Sequence, residues 1–226
     1  MTPRIGVVAA MPGEIAPLVK RVGARPVRHR APVRVFESDE FVIACAGIGK
    51  VRAILACEAV AEHGVRILVS AGWVGALRPE FRAAQVVAPG RILDEATGER
   101  FLSTQADGPL LLTAATVLGK VEKARAAENF HADLVDMEAA HVARFARAKN
   151  LPFACIRSVS DAVDDDLPDM QRFIRNGDFQ IAAFIRYVAI RPQWWGAVTR
   201  MAKHSSAAAE AMAEEIARFD LTRSAS

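Results

Sequence analysis

Short apolar segments of strand-forming residues alternate with helical segments along almost the whole of this 226-residue chain. Several apolar segments, such as 5–10 and 41–46, contain no polar residue, which is typical of strands buried on both faces. Such strands need helices above and below them. The sequence therefore predicts an α/β fold, a three-layer α/β/α sandwich around a central mixed, twisted sheet. Strands are predicted at 5–10, 33–36, 41–46, 67–71, 85–88, 110–115, 132–135 and 153–159, and helices at 13–22, 50–63, 119–129, 137–148, 169–190 and 194–217.

Length and composition fit one domain. The chain is 52% hydrophobic and 24% charged and has no low-complexity tract, which excludes disordered and coiled-coil classes. The three cysteines lie in apolar segments without metal-binding spacing, as in reduced proteins. We expect a single domain over 1–226, with 191–226 as a C-terminal helical extension. Because no signal peptide or membrane span is recognisable, we also expect a cytoplasmic location.

The basic residues are concentrated in one segment. The net charge is only +3, yet residues 20–34 hold six basic side chains and no acid. A solvated strand edge would explain this cluster, and so would a site for a phosphate group. Nucleic acid is not expected as a partner, because no aromatic residues are interleaved with the charges. The six are Lys20, Arg21, Arg25, Arg28, Arg30 and Arg34.

Two motifs that could indicate a cofactor are incomplete. The turn Gly47-Ile48-Gly49 has Arg52 where a dinucleotide fingerprint needs its third glycine. Glu138 and His141 have the spacing of a metal-binding helix pair, but no second pair accompanies them. We therefore expect neither a metal ion nor an organic cofactor.

The acids of most chemical interest stand where apolar strands end. Glu14 follows the first strand, Asp136 and Glu138 follow the strand at 132–135, and Asp161 follows the strand at 153–159. Each acid alone could be a helix cap or a loop residue, but a carboxylate at the rim of a buried sheet is costly unless it is paired or functional. Carboxylates around one cleft suit cleavage of a glycosidic bond, in which they protonate the leaving group, hold a sugar hydroxyl and orient the nucleophile.

Four segments in register resemble the methylthioadenosine/S-adenosylhomocysteine nucleosidases, within the purine nucleoside phosphorylase superfamily. The segments are 5–14, 46–51, 136–139 and 151–161. The resemblance implies cleavage of the N-ribosidic bond of an adenine nucleoside that is modified at its 5′ position. It also implies a small-molecule purine nucleoside as ligand, no cofactor, and a homodimer or higher homo-oligomer.

The same resemblance implies a role for each site residue. Asp161, oriented by Ser160, would protonate N7 of the purine as the base leaves. Glu138 would accept a hydrogen bond from the ribose 2′-hydroxyl, and Met137 would pack against the sugar. Glu14, with Arg157 nearby, would position and activate water. The other substrate-binding positions are Gly72, Trp73, Val117 and Leu118.

Departures from the nucleosidase pattern leave two other activities open. Trp73 stands where a small hydroxyl residue is usual, so one alternative is a nucleoside-binding protein without catalysis. The other is a phosphate-dependent phosphorylase, because residues 11–14 also resemble the phosphate loop of the hexameric nucleoside phosphorylases. Inorganic phosphate would then be a co-substrate, bound by Gly13, Arg30 and Arg34.

The C-terminal segment has a resemblance of its own. Arg191-Pro192 followed by Trp194-Trp195 resembles the hopanoid-associated phosphorylases, which act on an adenosyl lipid. Trp194 and Trp195, with Arg200 and Lys203 on the following helix, could contact a membrane surface. Alternatively, the same segment could pack on the core of the protein or on a partner subunit.

Overall fold

A single mixed sheet organises the protein. In the computed structural model, which describes residues 4–163, 165 and 168–219, this sheet has eleven strands. A separate hairpin of two strands follows it. The sheet strands are β1 (Ile5–Ala9), β2 (Arg25–Val27), β3 (Arg34–Glu37), β4 (Phe41–Cys45), β5 (Ile67–Ala76), β6 (Val86–Val87), β7 (Arg91–Asp94), β8 (Arg100–Leu102), β9 (Leu110–Thr113), β10 (Leu134–Asp136) and β11 (Phe153–Asp161), and the hairpin is β12 (Ile174–Arg175) with β13 (Asp178–Phe179).

The long strand β5 brings three other strand ends together. Its first half lies between β1 and β11 and is parallel to both. Near its end, Gly75 and Ala76 pair with β10 in the antiparallel sense. The carboxyl ends of β1, β10 and β11 therefore meet beside β5. Ligands collect at such an edge in open α/β sheets.

Helices cover both faces of the sheet, and each face has its own core. Helices α2 and α4 pack together and contribute to one buried cluster with β4 and β5. Helices α1 and α6 pack together on β11 and β5, with Ile15, Leu18 and Met212 in the other cluster. The predicted three-layer α/β/α sandwich is confirmed. The helices are α1 (Pro12–Arg21), α2 (Lys50–Ala61), α3 (Lys120–Phe130), α4 (Ala139–Ala148), α5 (Ile181–Ala189) and α6 (Trp195–Ala217).

The predicted helix at 169–190 is wrong. This segment contains one 3₁₀ turn at Gln171–Phe173, then the hairpin β12–β13, and only afterwards α5. Asn176 and Gly177 link the two strands, and both have positive φ, at 52° and 81°. Asn-Gly is a strong signal for a two-residue hairpin turn, so the sequence did contain the information.

Helix α6 is a core helix along its C-terminal half. Met212 and Ile216 are buried against α1 and β11, together with three alanines, so the C-terminal half of α6 is part of one layer of the sandwich. Residues 220–226, the end of the predicted extension, lie outside the described residues. None of the described helices has both the length and the apolar character needed to span a bilayer.

Candidate active site

Glu14 is the acid at the end of β1, and the backbone holds its carboxylate in place. It lies in the first turn of α1, and its Oε2 accepts hydrogen bonds from the N–H groups of Ala10 (3.0 Å) and Met11 (2.7 Å). Its Oε1 accepts a third, 2.9 Å long, from the N–H of Trp73 on β5. Burial raises the pKa of Glu14 despite these three donors. Glu14 is therefore a fixed carboxylate with a raised proton affinity, as a general base requires.

A buried ion pair stands behind Glu14. Arg157 of β11 donates from Nη2 to Asp136 Oδ2 (2.6 Å) and to Ser70 Oγ (2.7 Å). Asp136 also accepts from Thr113 Oγ1 (2.7 Å) and from the N–H of Ala139 (2.8 Å). Breaking such a pair leaves an unpaired buried charge, which is strongly destabilising. Asp136 thus holds the guanidinium in position.

Gly72 allows the Glu14 carboxylate and the Arg157 guanidinium to share one small space. A Cβ atom at Gly72 would lie 2.9 Å from Arg157 Nη1 and 2.9 Å from Glu14 Oε1. Any larger residue would therefore push the two charged groups away from β5. Gly72 is therefore important because it has no side chain.

Glu138 connects the end of β10 to the glycine turn after β4. Its Oε1 accepts a 2.7 Å hydrogen bond from the N–H of Gly49. Burial, together with the nearby negative charge of Asp136, raises the pKa of Glu138 to about 8. Glu138 is therefore mostly protonated at neutral pH and can then also donate a hydrogen bond.

Asp161, at the end of β11, has a partner on each carboxylate oxygen. Ser160 Oγ lies 2.5 Å from Oδ1, and Lys123 Nζ forms an ion pair with Oδ2. Lys123 lies on α3 and is only 7% exposed. Lys123 is not among the site residues predicted from the sequence, because nothing in its helix distinguishes it from the neighbouring surface charges. A purine that uses Asp161 must share this carboxyl with the ammonium group.

The acids face a small inner cavity that opens into a larger outer one. The inner cavity has a volume of about 200 Å³, and the outer one about 710 Å³. Met11, Ile48 and Trp73 line both. Of the predicted site residues, the inner cavity is lined by Glu14, Trp73, Val117, Leu118, Met137, Glu138, Ser160 and Asp161.

The predicted phosphate ligands are not part of this lining. Gly13, Arg30 and Arg34 line neither cavity. Arg34 is exposed on β3, opposite Cys45 of β4. A Cβ atom on Gly13 would lie 3.2 Å from Cη2 of Trp73, so the indole ring covers this glycine. The Trp73 Nε1–H is buried and has no hydrogen-bond partner within the described part of the chain.

Within 4–163, 165 and 168–219, no group of three or more His, Cys, Asp or Glu side chains is arranged to hold a metal ion.

The family of the chain follows from comparison with known proteins. The family model described as the phosphorylase superfamily matches residues 4–111 and 95–186, which is most of the chain. The chain belongs to the phosphorylase superfamily. This confirms the superfamily expected from the sequence motifs, and it makes the protein an enzyme that cleaves a glycosidic bond.

Solved structures of other superfamily members share the whole fold. Arabidopsis thaliana 5′-methylthioadenosine nucleosidase superposes with a TM-score of 0.74 at 15% identity, covering 98% of this chain and 99% of its own. Helicobacter pylori futalosine hydrolase gives 0.71 at 16% identity, with 96% and 97% covered. The 5′-methylthioadenosine/S-adenosylhomocysteine nucleosidase of the same bacterium gives 0.70 at 16%, with the same coverage. At these identities the similarity establishes the fold.

Proposed function

We propose that this protein hydrolyses the N-ribosidic bond of an adenine nucleoside that carries an apolar 5′ substituent. The observation that carries the proposal is the convergence of three carboxyl groups, on Glu14, Glu138 and Asp161, at one inner cavity. They come from the ends of three different strands, so the sheet itself sets their separation. Cleavage of a glycosidic bond needs such groups on the leaving base, the sugar and the nucleophile.

Each group has one step in the proposed reaction. Asp161, in its protonated form, gives its proton to N7 of the purine while the bond between C1′ and N9 breaks, so the base leaves as a neutral molecule and the Asp161 carboxylate that remains pairs with Lys123. Glu138 binds the ribose hydroxyls as positive charge develops on the ring. Glu14 accepts a proton from the water whose oxygen forms the new bond to C1′. The Arg157 guanidinium lies next to Glu14 and stabilises its negative charge until that proton arrives.

The charge balance supports water over phosphate as the nucleophile. Arg157 is the cation beside Glu14, and its charge is already shared between the paired Asp136 carboxylate and Glu14. A phosphate dianion placed there would lose its hydration without a free positive charge to compensate. The indole of Trp73 covers Gly13, the glycine that would have to approach the anion.

The outer cavity supports a bulky apolar group at the 5′ position. Its volume of about 710 Å³ is within the range of roughly 300–1,000 Å³ typical of small-molecule sites. Its outer wall comes from the C-terminal segment and is formed mainly by Met170, Ile174, Phe179, Phe184 and Met201. An adenosyl-hopane-type lipid, the substrate of the alternative phosphorylase, carries an apolar group of this kind.

The test is product analysis on a panel of nucleosides. Methylthioadenosine, adenosylhomocysteine, deoxyadenosine, inosine and an adenosine with a long 5′-alkyl group are incubated with the enzyme, with and without inorganic phosphate. We expect free base and free sugar without phosphate, and the highest kcat/KM for the alkylated adenosine. Sugar 1-phosphate formed only with phosphate would establish a phosphorylase, and intact nucleoside retained in the site would establish a binding protein.

A matched pair of variants tests Asp161 within this scheme. Asp161→Asn should lower kcat about 100-fold or more while the Kd for substrate changes only a few-fold, because the lost proton acts in the transition state. Asp107→Asn, on an exposed loop, is the control and should behave as wild type. An unchanged kcat for Asp161→Asn would remove it as the acid. Homo-oligomeric assembly and a cytoplasmic location stay predictions from the sequence.

A further inference from the structure

Large exposed apolar side chains are concentrated at the C-terminal end of the described chain. Seven such side chains are exposed in the described residues, and four lie between 181 and 195. Single exposed apolar residues are common on protein surfaces, whereas a cluster marks an interaction site. The four are Ile181 (59% exposed), Ile185 (59%), Ile190 (75%) and Trp195 (52%).

Helix α5 carries one broad apolar stripe whose two edges differ in exposure. On the inner edge, Phe184 and Val188 are buried in a small core with Phe173. On the outer edge, about 60° further round the helix, Ile181 and Ile185 are one helical turn apart and face solvent. The inner core already holds α5 in place, so the exposed edge of the stripe is available for another contact.

The exposed aromatic ring of this surface is held in a fixed position. Trp195 donates from Nε1 to the carbonyl oxygen of Val188, at 3.0 Å, so its one polar atom is satisfied inside the protein. The adjacent Trp194 instead packs against the small core. The two tryptophans therefore point to different environments, and Trp195 presents its apolar ring outward. Aromatic side chains of this kind are enriched where proteins meet the bilayer interface.

The chain segment that carries the apolar cluster is rich in basic residues. Residues 170–209 contain six Lys or Arg side chains and a single acid, Asp178. Asp178 is itself paired with Arg52, at 3.4 Å. Arg186 follows Ile185 on α5 and is exposed, as are Arg200 and Lys203 on α6. These exposed cations would attract an anionic surface.

We propose that this docking face, formed by α5 and the first turns of α6, binds the surface of an anionic phospholipid bilayer. Apolar side chains beside cations, with almost no acid, are the combination that holds interfacial helices on anionic lipid. The protein would lie on the membrane, since no described helix is able to cross it.

The docking face and the outer cavity are neighbours on the same helix. Phe184 lines the cavity, whereas Ile181 and Ile185, on the adjacent edge of the apolar stripe, are exposed. A docked enzyme would thus hold its cavity close to the lipid. A nucleoside whose 5′ group is anchored in the bilayer would then be within reach. This last step rests on the proposed function, but the docking itself does not.

Vesicle co-sedimentation of the full chain tests the proposal. The lipids are phosphatidylcholine alone and phosphatidylcholine mixed with phosphatidylglycerol. We expect binding to the mixed vesicles that weakens with added salt, and little binding to phosphatidylcholine alone. The double variant Ile181→Gln/Ile185→Gln should lower the partition constant about tenfold, because it removes two apolar anchors without disturbing the helix.

The matched control removes apolar surface elsewhere. Val51→Gln/Val121→Gln changes two residues that are 69% and 60% exposed on α2 and α3, and it should bind as wild type. Circular dichroism and thermal unfolding of both variants establish that they fold. Equal binding of the two variants, or no binding of the wild type to anionic vesicles, would overturn the proposal. So would a self-associated species, found by analytical ultracentrifugation, that only Ile181→Gln/Ile185→Gln dissociates.

Discussion

Glu138 is the site acid whose charge depends most on the fold. Its carboxyl group accepts the Gly49 N–H and lies close to Asp136, in surroundings that desolvate it. Its pKa, raised to about 8, means that the folded protein binds a proton there which the unfolded chain releases at much lower pH. Stability from this group is therefore complete below the ordinary glutamate pKa and is lost as the pH rises through 8.

The Glu138→Gln variant should separate this effect from the rest of the protein. Glutamine keeps an acceptor for the Gly49 N–H but cannot ionise, so its Tm should match wild type near about pH 4 and exceed it by several degrees near about pH 9. Differential scanning fluorimetry across this range measures the difference. Glu58→Gln, at an exposed position of α2, is the control and should show no such trend. A constant difference at all pH values would contradict a raised pKa.

Lys123 is a residue of the candidate site that could not be predicted from the sequence. Glu14, Glu138 and Asp161 could be predicted because each follows an apolar strand, and strand ends share one edge of a sheet. Lys123 reaches Asp161 from α3, and the two residues are 38 positions apart. That contact depends on how far α3 stands from β11, which no local pattern encodes.

The hairpin β12–β13 forms part of one wall of the site. The N–H of Ile48, in the glycine turn, donates to the carbonyl oxygen of Gly177 at 2.7 Å. Arg52 donates from Nε and Nη2 to the carbonyl oxygen of Asn176, at 3.0 and 2.7 Å. Ile174 and Phe179 of the hairpin line the outer cavity. The hairpin therefore positions one wall of the site through the backbone of the glycine turn.

Gly177→Ala should loosen this connection. The new Cβ would lie 2.6 Å from Arg52 Cγ and 2.8 Å from the Ile48 carbonyl oxygen, at a φ of +81°. Gly98→Ala is the matched control, because its φ is +71° and nothing lies within 4 Å of the new atom. Urea unfolding should show a loss of about 1 kcal/mol for the control and about 3 kcal/mol for Gly177→Ala, with a raised KM only in the latter. Equal losses would mean that the hairpin does not depend on this contact.

The accuracy of element prediction followed the strength of the local pattern. Strands β1 and β4 lie within one residue of their predicted limits because their apolar segments are continuous. Strands β2, β7 and β8 were missed, since they are short and carry charged residues. In the segment 169–190, the apolar spacing of α5 favoured a single helix and outweighed the Asn176-Gly177 turn. A two-residue turn can thus end a helix that the apolar spacing of the whole segment 169–190 would predict.

The whole molecule depends on a helix far from its N-terminal motifs. Helix α6 packs on α1 and β11, so the layer opposite α2 and α4 is complete only with the C-terminal segment. The sequence predicted α6 as a helix within a C-terminal extension at 191–226 and left open whether it packs on the core or on a partner subunit. Its burial depends on contacts with α1, almost 200 residues earlier.

Met212→Ala tests this dependence. Met212 is 1% exposed between α6 and the sheet, so the truncation should lower the free energy of unfolding by about 2–5 kcal/mol. Leu102→Ala, at a 70% exposed position of β8, should change it by less than about 0.5 kcal/mol. Chemical denaturation with circular dichroism gives both values. Similar values for the two variants would show that α6 is an appendage after all.

The separation of inner and outer cavities has an evolutionary consequence. Glu14, Glu138 and Asp161, which we propose act on the glycosidic bond, stand on the sheet and its immediate turns, whereas most of the residues that line the outer cavity alone lie between 168 and 205. On the proposed function, substitutions in this C-terminal segment would change which nucleoside is accepted while the three acids stay the same. The substrate range of such an enzyme can thus change during evolution while its catalytic groups are retained.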